Sequence, residues 1–276
     1  MKTIGITGGK GGTGKSTVSV ALAIELSKKY KTLLIDADVD CPNDHLILNI
    51  QRKLLKKVYQ RIPVWDFNKC DKCGLCGSVC QQNAIVSIKN KYPIFMQSQC
   101  NGCGSCVLKC PKGAISWSKK NIGNIFIGKK GNCDLLSGEL KINEPVSEFI
   151  VKDLNKIIKK EKDKYNFIII DTAAGIHCDV ITALENCDII FTVTEPNPLG
   201  AHDLELILKL LKKLKINSKI ILNRFDIGDK KIIENLAKKY KKEIIAKIPY
   251  LKNSLKDNNI MEFYAKKILT NSSINK

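Results

Sequence analysis

Apolar and polar positions follow two different periods along the 276-residue chain. Apolar runs of about six residues, typical of buried strands, alternate with lysine-rich stretches in which apolar residues recur every three or four positions, as in helices. Strands alternating with helices imply an α/β fold with a mostly parallel sheet, covered by helices on both faces. The predicted strands are Lys2–Thr7, Thr32–Asp36, Asn166–Asp171, Asp188–Thr194, Lys219–Asn223 and Glu243–Ile248.

This alternation is interrupted once, in the first half of the chain. After Asp66 the sequence becomes rich in cysteine and glycine, and the apolar periodicity returns only after about Trp117. We therefore expect one α/β domain in two parts, residues 1–63 and 120–276, with a small α+β module, residues 64–119, inserted between them.

Two runs of four cysteines lie in the inserted module, thirty positions apart. Each has the spacing Cys-x2-Cys-x2-Cys-x3-Cys, which wraps cubane iron–sulfur clusters in bacterial-type two-cluster ferredoxins, where the fourth cysteine of each run binds the other cluster. Zinc is the alternative, but it needs only four cysteines and would not explain the third cysteine of each run. We therefore expect two [4Fe–4S] clusters, one held by Cys70, Cys73, Cys76 and Cys110 and the other by Cys100, Cys103, Cys106 and Cys80.

The module also repeats itself beyond the cysteines. The sequence Cys-x3-Ala-Ile closes both runs, beginning at Cys80 in the first and at Cys110 in the second. Two copies of one half-module predict a bacterial-type ferredoxin insert with pseudo-twofold symmetry.

A glycine-rich loop, residues 8–17, lies between the first predicted strand and a predicted helix, Lys15–Lys29. Backbone amides at such a junction point toward phosphate oxygens, and the helix dipole favours negative charge there. We expect Lys15 to reach the β- and γ-phosphates of ATP and the Ser16 hydroxyl to bind Mg²⁺. The residues expected to surround the phosphates are Gly11, Gly12, Thr13, Gly14, Lys15, Ser16 and Thr17.

Acidic residues stand at the carboxyl ends of two predicted strands. Asp36 and Asp38 follow the second strand, and Asp171 ends the third. Ligands of open α/β sheets collect at this edge. Either Asp36 or Asp171 alone could be a structural capping residue, but together with the loop they predict a Mg²⁺ site.

A second lysine, Lys10, sits near the start of the loop. With the Lys-Ser ending, the loop resembles the deviant Walker A motif of the MinD/ParA class of ATPases, which includes the nitrogenase iron protein. The resemblance implies a nucleotide-sandwich homodimer in which Lys10 reaches the partner's phosphates; an ordinary exposed loop lysine is the alternative. It also implies that Asp36 and Asp171 act on Mg²⁺ through water. By the same resemblance Asp38 lies in the family's first switch (switch I) and orients the attacking water.

Further site residues follow from the same resemblance. Residues 171–175 are similar to the family's switch II, with the Gly175 amide sensing the γ-phosphate. Asn223 and Arg224 match the position that contacts adenine. The implied catalytic residues are Lys10, Lys15 and Asp38.

Nearly the whole chain is similar to MinD-type ATPases with an inserted ferredoxin domain. The similarity includes Asp38–Asn43, Gly175–Cys178 and Thr194–Pro196. It implies a Mg²⁺-dependent ATPase whose homodimer gates electron transfer from two [4Fe–4S] clusters to a redox partner or client that the sequence does not name.

Two alternatives remain open. The first is an ATP-dependent assembly or carrier protein for iron–sulfur clusters or metal, although the C-terminal Cys-x-x-Cys of such carriers is absent from the sequence. The second is a MinD/ParA-like positioning ATPase with structural clusters.

The insert lies between Asp36–Asp40 and Asp171 in the sequence. We therefore expect both of its connections to lead into segments next to the switches, so that the bound nucleotide changes the surroundings of the clusters.

Four cysteines lie outside the two runs. Cys178 follows switch II, near where the nitrogenase iron protein places a dimer-bridging cluster ligand, and is a candidate redox residue. Cys41 follows the first switch, and a buried structural role is expected for Cys133 and Cys187.

The net charge is +19, or roughly +15 with two clusters bound. The lysines are spread over the whole chain without interleaved aromatic residues, which favours a compositional bias over an acidic or nucleic-acid partner. No apolar stretch approaches the ~20 residues of a transmembrane helix, and the chain does not open with a signal-peptide pattern. We therefore expect a cytoplasmic protein without a nucleic-acid partner.

Overall fold

The computed structural model describes residues 1–251 and 258–272. Within them, nine strands form one mixed sheet and two short strands form a separate hairpin. The strands are β1 (Lys2–Thr7), β2 (Thr32–Ala37), β3 (Lys53–Trp65), β4 (Ile85–Val86), β5 (Ile94–Phe95), β6 (Ile115–Lys130), β7 (Cys133–Leu140), β8 (Phe167–Thr172), β9 (Ile189–Thr194), β10 (Ser218–Asn223) and β11 (Ile244–Ile248). The helices are α1 (Lys15–Ser27), α2 (Asp44–Leu48), α3 (Leu75–Ser78), α4 (Ser105–Lys109), α5 (Glu148–Glu161), α6 (Cys178–Leu184), α7 (Pro198–Leu214), α8 (Lys230–Lys239) and α9 (Asn258–Ser272).

The large sheet has the order β11-β10-β9-β1-β8-β2-β7-β6-β3. All pairs from β11 to β7 are parallel, and the last two pairs are antiparallel. The six strands expected from the sequence are confirmed, with ends that differ by one residue at most. The predicted mostly parallel α/β sheet is likewise confirmed.

Successive residues of the central strands face opposite hydrophobic cores. In β8, Ile169 packs into the core beneath α1 and α9, while Ile168 and Ile170 pack into the core beneath α5 and α6. Both faces are buried because helices cover both sides, which explains why the strands are continuous apolar runs rather than alternating ones.

The cysteine-rich sequence is joined to the sheet by a long β-hairpin. β3 and β6 pair over nearly their full lengths, from Lys53 opposite Ile127 to Trp65 opposite Ile115. The domain boundaries expected after residues 63 and 119 fall inside these strands, so the backbone runs without a break from the sheet into the insert. We call the part between the strands, residues 66–114, the cysteine module.

The hairpin carries the cysteine module past the carboxyl ends of the parallel strands. β7 runs parallel to β2 and ends at Leu140, and β6 pairs with β7 only from Gly123 onward. Residues 115–122 therefore extend beyond the end of β7, a reach of about 26 Å at the rise of a strand. The module lies off the same edge of the sheet as the glycine-rich loop.

The two connections of the module both approach the first switch. The first connection leaves that switch through α2 and enters β3 at Lys53. The second connection, β6, passes into β7, whose Leu140 amide donates a hydrogen bond to the Val39 carbonyl at 2.8 Å. Asp171 follows only after α5, in β8. The expected influence of nucleotide on the clusters stays a prediction.

The cysteine module has two matching halves. α3 and α4 each follow a glycine in the left-handed conformation, Gly74 with φ 84° and Gly104 with φ 85°. Around them lie two small apolar clusters built on residues such as Ile62, Ile85 and Ile115.

Candidate functional site

The glycine-rich loop has a backbone that its glycines make possible. Gly12 and Gly14 have φ values of 80° and 95°, a region that residues with a Cβ rarely adopt. A Cβ at Gly14 would also lie 2.5 Å from the side-chain amide nitrogen of Asn223. Gly14 directly precedes α1, so the loop amides and the start of the helix face one space at the carboxyl edge.

The two loop lysines occupy contrasting positions. The side chain of Lys15 is buried, and its ammonium group donates to the Lys10 carbonyl at 3.2 Å. Burial lowers the pKa of Lys15, while Asp171 and Asp38 act against that shift. Lys10 itself is exposed, and its contact with a partner's phosphates stays a prediction.

Asp36 and Asp171 lie side by side at the ends of β2 and β8, in register with each other. Both are buried, and burial is the main cause that raises the pKa of each, to about 6 for Asp171. Hydrogen bonds from Ser16 and Ser19 limit the shift of Asp171. Asp38 is only half-buried, and burial raises its pKa as well.

A third buried carboxylate, Asp44, joins this pair. One carboxylate oxygen of each of Asp36, Asp44 and Asp171 lies within 4.8 Å of the other two. Oxygen ligands of this kind suit Mg²⁺, so the residues present fit the expected ion. Sequence reasoning missed Asp44, because it precedes the apolar run of α2 and resembles an ordinary first-turn residue.

Switch II is docked on the glycine-rich loop. The Gly175 amide donates to the Gly8 carbonyl at 3.1 Å, and Gly175 has a φ of 98°. A Cβ at Gly175 would lie 3.2 Å from the ring of His177. If this amide senses a γ-phosphate, it must exchange its bond to Gly8 for one to the nucleotide.

Asn223 lies against the loop and is held there from two sides. Its amide nitrogen donates to the Thr13 carbonyl at 2.8 Å, and its oxygen accepts from the Tyr264 hydroxyl at 3.2 Å. Arg224 is partly exposed and forms an ion pair with Glu195 at 2.6 Å. The structure thus gives Asn223 a loop-supporting contact, and its contact with adenine stays a prediction.

The eight cysteines of the module line two separate cavities. Each cavity takes three cysteines from one run and the last cysteine from the other. Four thiols around each cavity are a donor set that fits a [4Fe–4S] cluster, although the binding of iron stays a prediction. The groups are Cys70, Cys73, Cys76 and Cys110 around one cavity, and Cys80, Cys100, Cys103 and Cys106 around the other.

Hydrogen-bond donors from the module point at several of the sulfurs. The Gly102 amide lies 3.4 Å from Cys100 Sγ, and the Ala114 amide lies 3.3 Å from Cys110 Sγ. Such bonds stabilise negative charge on sulfur and tune a bound metal group. Bonds from Ser105 lower the pKa of Cys103.

The remaining cysteines fall into an exposed and a buried pair. Cys41 and Cys178 are exposed next to the two switches. Cys133 and Cys187 are buried, and burial raises the pKa of both thiols, to about 12 for Cys133. The expected burial of Cys133 and Cys187 agrees with the structure, whereas a redox role of Cys178 stays a prediction.

The cysteine module is tied to the sheet by polar contacts as well as by the hairpin. The buried Gln60 side chain donates to the Cys100 carbonyl at 2.8 Å. The Lys120 ammonium group lies 2.7 Å from both the Gln97 carbonyl in the module and the Glu144 carboxylate after β7. The Lys141 amide donates to the Ile122 carbonyl at 2.9 Å.

The fold and loop together define a P-loop nucleotide-binding protein with a MinD-like sheet. The family model for the CobQ/CobB/MinD/ParA nucleotide binding domain matches residues 4–260. The chain belongs to this family, whose MinD and ParA members are P-loop ATPases.

Individual relatives agree with this assignment. An uncharacterized protein of Methanocaldococcus jannaschii is 36% identical over 246 residues, which cover 89% of this chain and 88% of the relative. The septum site-determining protein MinD of Thermotoga maritima is 25% identical over 255 residues, covering 88% of this chain and 73% of that protein.

A solved structure is also similar in fold. MinD of Pyrococcus horikoshii, complexed with Mg-ADP, aligns with a TM-score of 0.54 at 22% identity, over 97% of this chain and 86% of that one. Within residues 1–251 and 258–272, no helix has both the length and the apolar character needed to cross a membrane.

Proposed function

We propose that the chain is a Mg²⁺-dependent ATPase that works as a homodimer and couples its nucleotide state to two [4Fe–4S] clusters in the cysteine module. The observation that carries the proposal is the position of the module: it projects from the carboxyl edge that holds the glycine-rich loop, on a hairpin joined to the first switch.

In the proposed ATP site, Lys15 neutralises the phosphates of its own chain and the Ser16 hydroxyl binds Mg²⁺. Asp36 and Asp171, side by side on β2 and β8, hold water molecules around the ion. Asp38 is less buried than they are, which suits a carboxylate that orients the attacking water. The exposed Lys10 reaches the phosphates bound by the partner chain.

In the proposed cluster sites, the eight cysteines bind iron in the two crossed groups that line the cavities. When bound, the clusters supply one-electron redox chemistry. The protein's part is to present thiolates, direct amides at the sulfurs and limit solvent access, and these three factors set the potential of such clusters.

The proposed coupling follows a short path of contacts. Val39, next to Asp38, is hydrogen-bonded to Leu140, and the following residue, Lys141, is bonded to Ile122 of β6. From there the hairpin leads to Gln60 and its bond to Cys100. A movement of the first switch on binding MgATP would displace this hairpin and with it the surroundings of the second group of cysteines.

The proposal is tested by preparing the protein without oxygen and measuring iron, ATP hydrolysis and molecular mass together. We expect about eight iron atoms per chain, hydrolysis that needs Mg²⁺, and a dimer that forms with ATP in Asp38→Ala protein. Zinc in place of iron would overturn the cluster assignment. Normal hydrolysis by a monomeric protein would overturn the dimer.

A positioning ATPase is the second candidate, and the comparisons favour it over gated electron transfer. Two of the proteins named above, MinD of Thermotoga maritima and MinD of Pyrococcus horikoshii, are septum site-determining proteins. In that case ATP-dependent assembly on a surface or filament would be independent of the redox state of the clusters. A carrier would instead lose iron to an apo-acceptor during turnover, whereas an electron-transfer protein would keep it.

A further inference from the structure

Asp44 has no part in the ATPase chemistry proposed above, yet it is fully buried beside that site. It is the first residue of α2, and its backbone amide donates to Asp36 Oδ2 at 3.1 Å. Neither oxygen of its own carboxylate has a hydrogen-bond partner in the described part of the chain. A buried, unpartnered carboxylate is unfavourable unless a cation or a proton neutralises it.

The oxygens of Asp44 point into a group of like charges. One of them lies within 4.8 Å of an oxygen of Asp36 and of an oxygen of Asp171, and all three residues are buried. Among the described residues, Asp36 Oδ1 and Asp171 Oδ2 also lack hydrogen-bond partners. Each member of the trio therefore has at least one carboxylate oxygen without a partner among the described residues.

The buried Lys15 side chain does not meet this need. The ammonium group of Lys15 is bonded to the Lys10 carbonyl, and it acts on Asp171 and Asp38 rather than on Asp44. The charged groups that act on Asp44 are Asp171, Asp36 and Asp38, all of them acidic. A ligand shared by the three carboxylates would therefore have to bring positive charge.

We infer that Asp44, with Asp36 and Asp171, forms a three-carboxylate site that binds a divalent cation such as Mg²⁺ or Mn²⁺ in the absence of nucleotide. Carboxylate oxygens select these hard cations, whereas the thiols of the cysteine module select softer ones. A nucleotide-associated Mg²⁺ would rely on Ser16 and the phosphates, and Asp36 and Asp171 would reach it only through water. The site with Asp44 needs neither Ser16 nor the phosphates, and it holds whether or not the chain hydrolyses ATP.

Such a cation would also order the first switch. Asp36 and Asp44 bracket residues 37–43, which include Asp38, and Asp171 belongs to the neighbouring strand. A cation shared by all three would fix both ends of this segment to β8 before any nucleotide binds.

The test is a titration of nucleotide-free, chelator-treated protein with Mn²⁺, followed by electron paramagnetic resonance. We expect the wild-type chain to bind one Mn²⁺ and Asp44→Asn to bind it at least about tenfold more weakly. Asp40→Asn, an exposed carboxylate of the same segment, is the matched control and should bind like the wild type. Ser16→Ala should keep this Mn²⁺ while losing Mg²⁺-dependent ATP binding, which separates the two sites.

Thermal unfolding supplies a second readout that does not depend on activity. Mn²⁺ should raise the melting temperature of the wild type and of Asp40→Asn, but not that of Asp44→Asn or Asp44→Leu. The inference is overturned if nucleotide-free wild type fails to bind Mn²⁺ at millimolar concentration, or if Asp44→Asn binds it equally well. It is also overturned if the Asp44 variants have higher melting temperatures than the wild type and Mn²⁺ changes the melting temperature of neither the variants nor the wild type.

Discussion

The carboxyl edge of the sheet and the cysteine module both gather reactive groups, but they hold them by different means. At the edge, Lys15, Asp36 and Asp171 are buried between α1 and strands that belong to two large apolar cores. In the module, two small clusters surround the cysteines, and Cys73 and Cys103 are exposed. The nucleotide site is therefore built into a large apolar core, whereas we expect the module to depend on bound metal to stay folded.

The largest expected effect comes from removing a metal ligand. Cys110→Ala should lose about four of about eight iron atoms, because four thiols surround each cavity. We expect proteases then to cut within residues 66–114, while the remaining sheet stays intact and binds ATP. Iron analysis measures the loss of iron, and mass spectrometry of the fragments locates the cleavage sites.

Cys41→Ala is the control for this experiment, since Cys41 is exposed and lies outside both groups. It should keep all of its iron. If Cys110→Ala kept a protease-resistant module, the difference in stability between the two regions would be refuted.

The second effect separates the two loop lysines. Lys15→Ala should weaken ATP binding by about 2–5 kcal/mol, because it removes a buried charge from the phosphates. Lys10→Ala should bind ATP but lose both dimerisation and hydrolysis, because its proposed target lies on the partner chain. Calorimetry measures binding, and light scattering measures mass. Equal losses of binding in both variants would contradict the separate roles.

A third, smaller effect should follow from cutting the polar tie between the two regions. Lys120→Met removes the contacts to Gln97 and Glu144. MgATP should therefore change the solvent exposure of the clusters less in this variant than in the wild type. The change in coupling should be about 0.5–2 kcal/mol. The rate of iron loss to a chelator, with and without MgATP, measures it.

The matched control for Lys120→Met is Lys119→Met. Lys119 is exposed, and its ammonium group lies over the ring of Tyr59 rather than on the module or on Glu144. The Lys119→Met variant should leave the effect of MgATP on the rate of iron loss unchanged. An identical change in both variants would show that Lys120 has no specific part.

A last prediction concerns the cysteines outside the module. A raised pKa means that a thiol forms thiolate only at higher pH, so at pH 8 Cys133 should carry roughly a thousandfold less thiolate than an ordinary cysteine. Iodoacetamide should label Cys41 and Cys178 in native, iron-loaded protein and leave Cys133 and Cys187 unmodified, as mass spectrometry can establish. Rapid labelling of Cys187 would contradict its burial.

The parts of the fold that sequence predicts well are those with a strong local signal. β1, β2 and β8 are continuous apolar runs, and the glycine-rich loop has a characteristic composition. β3 gives no such signal, because most of its residues are exposed and it contains Pro63, so its role as the arm of the module could not be foreseen. The expected boundary after residue 63 fell inside β3 for the same reason, and the one after residue 119 fell inside β6.

Long-range contacts limited the prediction of the site. Asp44 is recognised only when β8 brings Asp171 beside it, since the local sequence resembles an ordinary helix start. Asn223 has a local motif, but its bonds to Thr13 and Tyr264 join segments far apart in the chain. The two crossed cysteine groups, in contrast, could be predicted from the sequence, because the spacing of the cysteines in each run is typical of two-cluster ferredoxins.

The central claim is that MgATP bound at the carboxyl edge of the sheet changes the surroundings of the clusters in the cysteine module. Its most direct test is a spectroscopic redox titration of Asp38→Ala protein, with and without MgATP, since this variant should hold ATP without cleaving it. We expect MgATP to shift the potential of at least one cluster by about 40–130 mV, equivalent to a coupling of about 1–3 kcal/mol. Identical potentials and identical chelator accessibility in both conditions would contradict the claim.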